Sequence, residues 1–195
     1  MYFGAIYGWY FFLTWLPTYL LRARGFDLKQ VGWLAALPLV AIAGGVFSGG
    51  WLSDLGSRRL GGRLGRRLPG VIGLPLAAVA CVGAVWTSDP MGAALLLSAA
   101  AGLAALGVAP AWAVCLEIGG PHSGVVTGAM NTFGNLGGAL SPVVVGISMD
   151  RWHSWNAPLL SMAVLYLLAG ACWLLVDPTC KILLPEGSGV GQAKS

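Results

Sequence analysis

Along the chain, charged residues gather in short zones and leave long apolar intervals between them. The charges lie at Arg22 to Lys29, Asp54 to Arg67, Asp89, Glu117, Asp150 with Arg151, and Asp177 to Lys194. The charge-free stretches are 1–21, 30–53, 68–88, 90–116, 118–149 and 152–176. A helix needs about 20 apolar residues to cross roughly 30 Å of hydrocarbon, and each of the six stretches has that length. A charge at the bilayer centre costs about 2.5–3.5 kcal/mol, a physical reason for its exclusion. The pattern predicts an all-α, polytopic membrane protein with six transmembrane helices, over about 1–21, 31–53, 69–88, 91–116, 123–149 and 157–176. A transmembrane barrel would need segments that alternate apolar and polar residues. Runs such as Ala93-Ala94-Leu95-Leu96-Leu97 do not alternate. The remaining 177–195 is polar, carries Pro185, Gly187 and Gly189, and reads as a disordered cytoplasmic tail.

Composition agrees with this reading. Of 195 residues, 57% are hydrophobic and 9% charged, against about 25% charged in a soluble domain. Arg58, Arg59, Arg63, Arg66 and Arg67 crowd one short loop. Basic short loops stay inside, which places this loop and both termini in the cytoplasm of a plasma (inner) membrane. The net charge of +4 is then mostly a topology signal, and no nucleic-acid partner is expected. Met1 opens directly into an apolar run without a basic leader, so a removable signal peptide is not expected. The first helix reads as an uncleaved anchor, or the chain begins partway through a larger protein. Cys81, Cys115, Cys172 and Cys180 show no paired spacing and read as small apolar residues. His122 and His153 stand alone in different loops, so neither a metal site nor a cofactor is expected.

Candidate chemistry is confined to a few polar positions within the spans. Thr127, Asn131 and Asn135 recur every four residues and share one helix face. Unpaired amides in hydrocarbon are costly, so this face must meet protein or a watery cavity. Interhelical hydrogen bonding and a solute-binding wall both fit. Tyr7, Tyr10 and Thr14 form a similar stripe in the first span, and Trp112 follows Pro110 in the fourth. Proline recurs at Pro17, Pro38, Pro75, Pro110, Pro142 and Pro158, as expected of bent helices whose freed backbone groups are satisfied by neighbours. Gly45 with Gly49, and Gly134 with Gly138, stand four apart, the spacing that lets helix backbones approach closely. A membrane-embedded enzyme would need acids, bases or metal ligands within the spans, and the charge-free stretches hold no carboxylate there. No Gly-Lys-Ser/Thr phosphate loop occurs, so ATP-driven transport is unsupported.

The second span ends Gly50-Trp51-Leu52-Ser53-Asp54, and Arg58-Arg59 follow. This resembles the cytoplasmic loop motif of the major facilitator superfamily: Gly-x-Leu-small-Asp, a short turn, then a basic pair. Leu55 and Ser57 depart from it, standing where a basic residue and a Gly are common. Tyr10-Phe11-Phe12-Leu13-Thr14-Trp15-Leu16-Pro17-Thr18-Tyr19-Leu20 is similar to the seventh helix of the anion:cation symporter family within that superfamily. Asn131-Thr132-Phe133-Gly134-Asn135-Leu136 with Ser141-Pro142 is similar to its eleventh helix, and Ala111-Trp112-Ala113-Val114 to its tenth.

The resemblance implies the C-terminal half of a twelve-span carrier of hexuronate, glucarate or galactonate type. It implies alternating-access symport of a small organic anion, with protons as the coupled ion. Tyr7, Tyr10, Trp112, Asn131 and Asn135 would contact substrate, and Gly50, Asp54, Arg58 and Arg59 would serve the cytoplasmic gate. The expected partners are the anion, the lipid bilayer, and a first six-helix half or a second copy of the chain. A non-transporting membrane scaffold or subunit is the rival expectation, as is an inactive fragment lacking the first six spans.

Overall fold

A computed structural model describes residues 1–180. Within them the chain is helical and contains no strand. The helices are α1 (Tyr2–Thr14), α2 (Leu16–Arg22), α3 (Leu28–Leu60), α4 (Gly62–Trp86), α5 (Pro90–Ala105), α6 (Val108–Gly119), α7 (Ser123–Trp152) and α8 (Asn156–Trp173). A short 3-10 turn, Gly120–His122, precedes α7. Most of the expected cytoplasmic tail, 181–195, lies outside the described residues.

Local chemistry sets the boundaries. Pro17 has no N–H to offer the Leu13 carbonyl, and the first charge-free stretch forms α1 and α2, interrupted at Trp15. Asp27 opens α3 with a capping box: Gln30 N–H donates to Asp27 Oδ1 at 2.7 Å, and Asp27 N–H donates to Gln30 Oε1 at 3.2 Å. Asp89 caps α5 by accepting from Met91 and Gly92 N–H at 3.2 and 2.7 Å, with Pro90 at the first helical position. The fourth stretch also divides, between Ala105 and Val108, where Pro110 leaves the Leu106 carbonyl without an intrahelical donor. By contrast, α3 runs through Pro38, α4 through Pro69 and Pro75, and α7 through Pro142.

The main packing partners are α1 with α7, α4 with α8, and α5 with both α3 and α4. These contacts are close because glycine lies at them. A Cβ on Gly49 would sit 2.1 Å from the Leu106 carbonyl oxygen, and one on Gly45 would sit 2.1 Å from the Gly102 carbonyl oxygen. Any side chain there would push α3 off α5. The core is filled by Tyr7, Phe11, Leu16, Leu97, Leu159, Met162, Tyr166 and Trp173, all nearly inaccessible.

Large apolar side chains also cover much of the outer surface. Trp33, Phe47, Val79, Trp86 and Phe133 are each more than 60% exposed. A surface of this kind suits lipid rather than water. Four helical stretches are long and apolar enough to cross a membrane: Leu28–Leu60, Gly62–Trp86, Pro90–Trp152 (α5 to α7 together) and Asn156–Trp173.

Candidate functional site

Helix α7 presents three faces at about 100° per residue. Gly134, Gly137, Gly138, Ser141, Val145 and Ser148 are buried in the bundle. Phe133, Leu136, Leu140, Val143 and Ile147 are large, apolar and exposed. The third face carries Gly128, Asn131, Asn135, Ala139, Pro142 and Gly146. Asn131, Asn135 and Ala139 are exposed, and open space surrounds Gly128 and Gly146, where an added Cβ would meet nothing within 4 Å. A face this small and polar offers little to lipid, and within this bundle nothing covers it.

Helix α1 borders that face because the α7 glycines admit it. A Cβ on Gly138 would lie 2.6 Å from the Tyr10 ring, and one on Gly134 would lie 2.4 Å from the Tyr2 ring. Tyr10 is half-buried, one turn along α7 from Asn135. Trp112, on α6 and 39% exposed, reaches the same region. Its indole N–H donates to the Tyr2 hydroxyl at 3.2 Å, and the two rings meet edge to face with centroids 6.3 Å apart. Asn135 donates its amide to the Asn131 carbonyl at 2.8 Å, while the Asn131 side chain makes no hydrogen bond among the described residues. The structure therefore sets Tyr10 against Gly138 and links Trp112 to α7 through Tyr2, while Asn131 and Asn135 stand exposed on the open face. Tyr2, buried between Trp112 and Gly134, supports the Trp112 indole and was not singled out by sequence; its only signal was an aromatic hydroxyl in the first span.

Tyr7 stands apart. It is 2% exposed and points to α8, where its hydroxyl lies 3.0 Å from Ser161 Oγ. Ser161 donates to the Pro158 carbonyl at 2.8 Å, so Tyr7 is the donor to Ser161. Its place is inside the bundle rather than on the open face.

A second constellation closes one end of the bundle. Arg66 on α4 donates to Asp54 Oδ1 at 2.5 Å, to Glu117 Oε1 at 2.9 and 2.6 Å, and to Ser53 Oγ at 3.2 Å. One guanidinium thus joins α3, α4 and α6. The Arg66 side chain is 15% exposed, so its pairing is more shielded than an ordinary surface ion pair. The approach of α3 to α4 depends on Gly65, whose Cβ would lie 2.0 Å from the Ser57 nitrogen. Arg58 and Arg59 are exposed and form no ion pair among the described residues. The cation that meets Asp54 is Arg66, not the basic pair close behind it in sequence. Gly50 is half-buried beside Ala109.

Three further arginines hold the bundle ends. Arg67 donates to the Val176 carbonyl, and Arg63 pairs with Asp177 at 3.2 Å. Asp177 accepts from the Thr179 hydroxyl at 2.6 Å and its N–H at 3.0 Å. Thr179, supported by Arg63 and Arg67, holds the Asp177 carboxyl below its usual range. At the opposite end, Arg24 donates to Tyr19 at 2.7 Å and to the Thr87 and Ala84 carbonyls at 2.8 and 2.5 Å, neutralising the C-terminus of α4. Among the described residues, no three metal-ligating side chains converge, and all four cysteines are free.

The family model described as Major Facilitator Superfamily matches residues 1–192. The chain is 36% identical over 183 residues to a protein of Cupriavidus necator named "Probable sulfoacetate transporter", covering 92% of this chain and 43% of that one. It is 33% identical over 185 residues to "Probable galactarate/D-glucarate transporter" of Escherichia coli K12, covering 89% of this chain and 40% of that one. It is 30% identical over 173 residues to "D-galactonate transporter" of Escherichia coli O6:H1, covering 86% of this chain and 39% of that one. The chain thus spans about two fifths of the length of these relatives.

Proposed function

The chain belongs to the Major Facilitator Superfamily, and from that premise we propose that it is one six-helix half of a secondary carrier for a small organic anion, a sugar acid or related carboxylate. It is a multi-pass membrane protein of a transporter family rather than an enzyme. Six passes suit its helices. The 63 residues of α5 to α7 greatly exceed the about 20 that one pass needs, and α1 with α2 adds a further pass. The other half, supplied by a first six-helix bundle or a second copy, would cover the open face of α7 and complete a central cavity.

The observation that carries this reading is that open face. Asn131 and Asn135 lie exposed on a helix whose other exposed face is wholly apolar. Amides supply both donors and acceptors to hydroxyl and carboxylate groups. Tyr10 adds a hydroxyl, and Trp112 a rigid wall held by Tyr2. Tyr7 acts through Ser161 by fixing α1 on α8. Among the described residues, the carboxylates stand at helix ends or in loops, so proton coupling in this reading uses groups of the other half. The Arg66 bridge ties α3, α4 and α6 together at the cytoplasmic end of this half, the surface that would form a gate against the other half. With the arginine-rich end facing inward, as the rule for short basic loops supports, both termini lie on the cytoplasmic side of the plasma membrane.

The test is uptake of radiolabelled galactarate by vesicles containing this chain joined to its first-half bundle. Asn131→Ala with Asn135→Ala is expected to reduce uptake at least tenfold, and dissipating the proton gradient is expected to abolish accumulation. Unchanged uptake and affinity in the double variant would overturn the assignment of the face.

A further inference from the structure

The open face of α7 continues past Gly146 to Asp150, where it enters a cavity of about 490 Å³. Trp15, Thr18 and Arg22 line it from the α1–α2 side, and Asp150, His153 and Trp155 from the end of α7. That volume lies within the usual range for small-molecule sites. The site is at the opposite end of the bundle from the Arg66 bridge.

Its walls are built rather than incidental. His153 ends α7 in the left-handed conformation, with φ 49° and ψ 32°. The reversal brings Trp155 back onto α2, edge to face with Trp15 at 6.1 Å and with Tyr19 at 5.4 Å. Arg24 fixes Tyr19 from behind, by a 2.7 Å hydrogen bond and by lying over its ring at 5.5 Å. Yet Arg22 and Asp150 line the same space without forming an ion pair with each other or with any other described residue.

We propose that this cavity is an outer capture site for hydroxylated carboxylates, an inference that rests on the carrier reading above. The guanidinium of Arg22 matches a carboxylate, to which it can donate two parallel hydrogen bonds. Asp150 accepts hydrogen bonds from hydroxyl groups, which a plain diacid does not offer. His153 adds a further polar partner, and the indoles of Trp15 and Trp155 pack the C–H faces of a short polyol chain. A cation beside an acceptor and two indoles selects a sugar acid over an unhydroxylated diacid. Captured anions would then pass along the open face of α7 toward Asn135.

The test is titration of the purified chain in detergent with galactarate and with succinate, followed by tryptophan fluorescence. Galactarate is expected to bind about tenfold more tightly than succinate. Arg22→Gln is expected to weaken galactarate binding about tenfold, and Asp150→Asn to erase the preference over succinate. Both residues are exposed, so thermal melting of these variants should match the parent. Val79→Ala, on the exposed apolar surface of α4, should leave this binding intact. Absence of saturable binding, or binding indifferent to Arg22→Gln and Asp150→Asn, would overturn the capture site. Binding lost only in Asn131→Ala would also overturn it while leaving the carrier reading standing.

Discussion

Gly49 and Gly128 sit on helices of the same bundle and carry opposite expectations. At Gly49 a methyl would press into the Leu106 carbonyl at 2.1 Å, and a backbone carbonyl cannot rotate away. Gly49→Leu is therefore predicted to destabilise the bundle by about 3 kcal/mol or more through overpacking. Around Gly128 there is open space. Gly128→Ala removes backbone freedom from the unfolded chain and is predicted to leave stability unchanged or raise it by about 0.5–1 kcal/mol. Melting curves in one detergent test both. Asp177 supplies a pH signature. Its carboxyl is held low in the folded state by Thr179 and by Arg63 and Arg67, so the ionised form is favoured by folding. That contribution is present above the ordinary carboxylate range and fades as pH falls through the lowered value. Asp177→Asn is predicted to flatten the loss of melting temperature between about pH 5 and pH 3, and to change nothing near neutrality beyond a small fixed offset.

The relevant elements are the three helices that Arg66 joins. Removing the guanidinium leaves Asp54 and Glu117 without their shared cation. Arg66→Gln is predicted to cost about 1–3 kcal/mol, whereas Arg58→Gln and Arg59→Gln, on exposed side chains, should each change stability by less than about 0.5 kcal/mol. Thermal unfolding of the three variants side by side tests the assignment. The contrast also shows what the residue order could tell. Asp54 was recognisable as a helix-end carboxylate near a basic cluster, because that information is local. Its partner was not, because α3 runs on to Leu60, turns at Gly61 with φ 88°, and returns as α4. Only that reversal carries Arg66 back beside Asp54 and leaves Arg58 and Arg59 in solvent. Asn131 and Asn135 were legible as a shared face because helical periodicity alone aligns them. Tyr7, Tyr10 and Thr14 looked like one stripe on the same grounds, yet Tyr7 turns to Ser161 on α8. Periodicity gives the face, whereas the neighbouring helix decides what that face meets.

At the scale of the whole molecule, an apolar outer surface and one uncovered polar face coexist on a bundle cemented by glycine. The alternation of charge zones and apolar intervals was enough to anticipate an all-helical membrane chain. It could not anticipate the interruptions at Trp15 and before Val108, which depend on where Pro17 and Pro110 fall within their helices. The central claim is that the Asn131–Asn135 face meets water and substrate while the Leu140 face meets lipid. Single-cysteine variants Asn135→Cys and Leu140→Cys, in a background with Cys81, Cys115, Cys172 and Cys180 replaced, test it with a membrane-impermeant thiol reagent on the membrane-embedded carrier. The account predicts rapid labelling at 135 that galactarate slows, and no labelling at 140. Equal labelling at both positions, or labelling at 135 that galactarate leaves untouched, would contradict it.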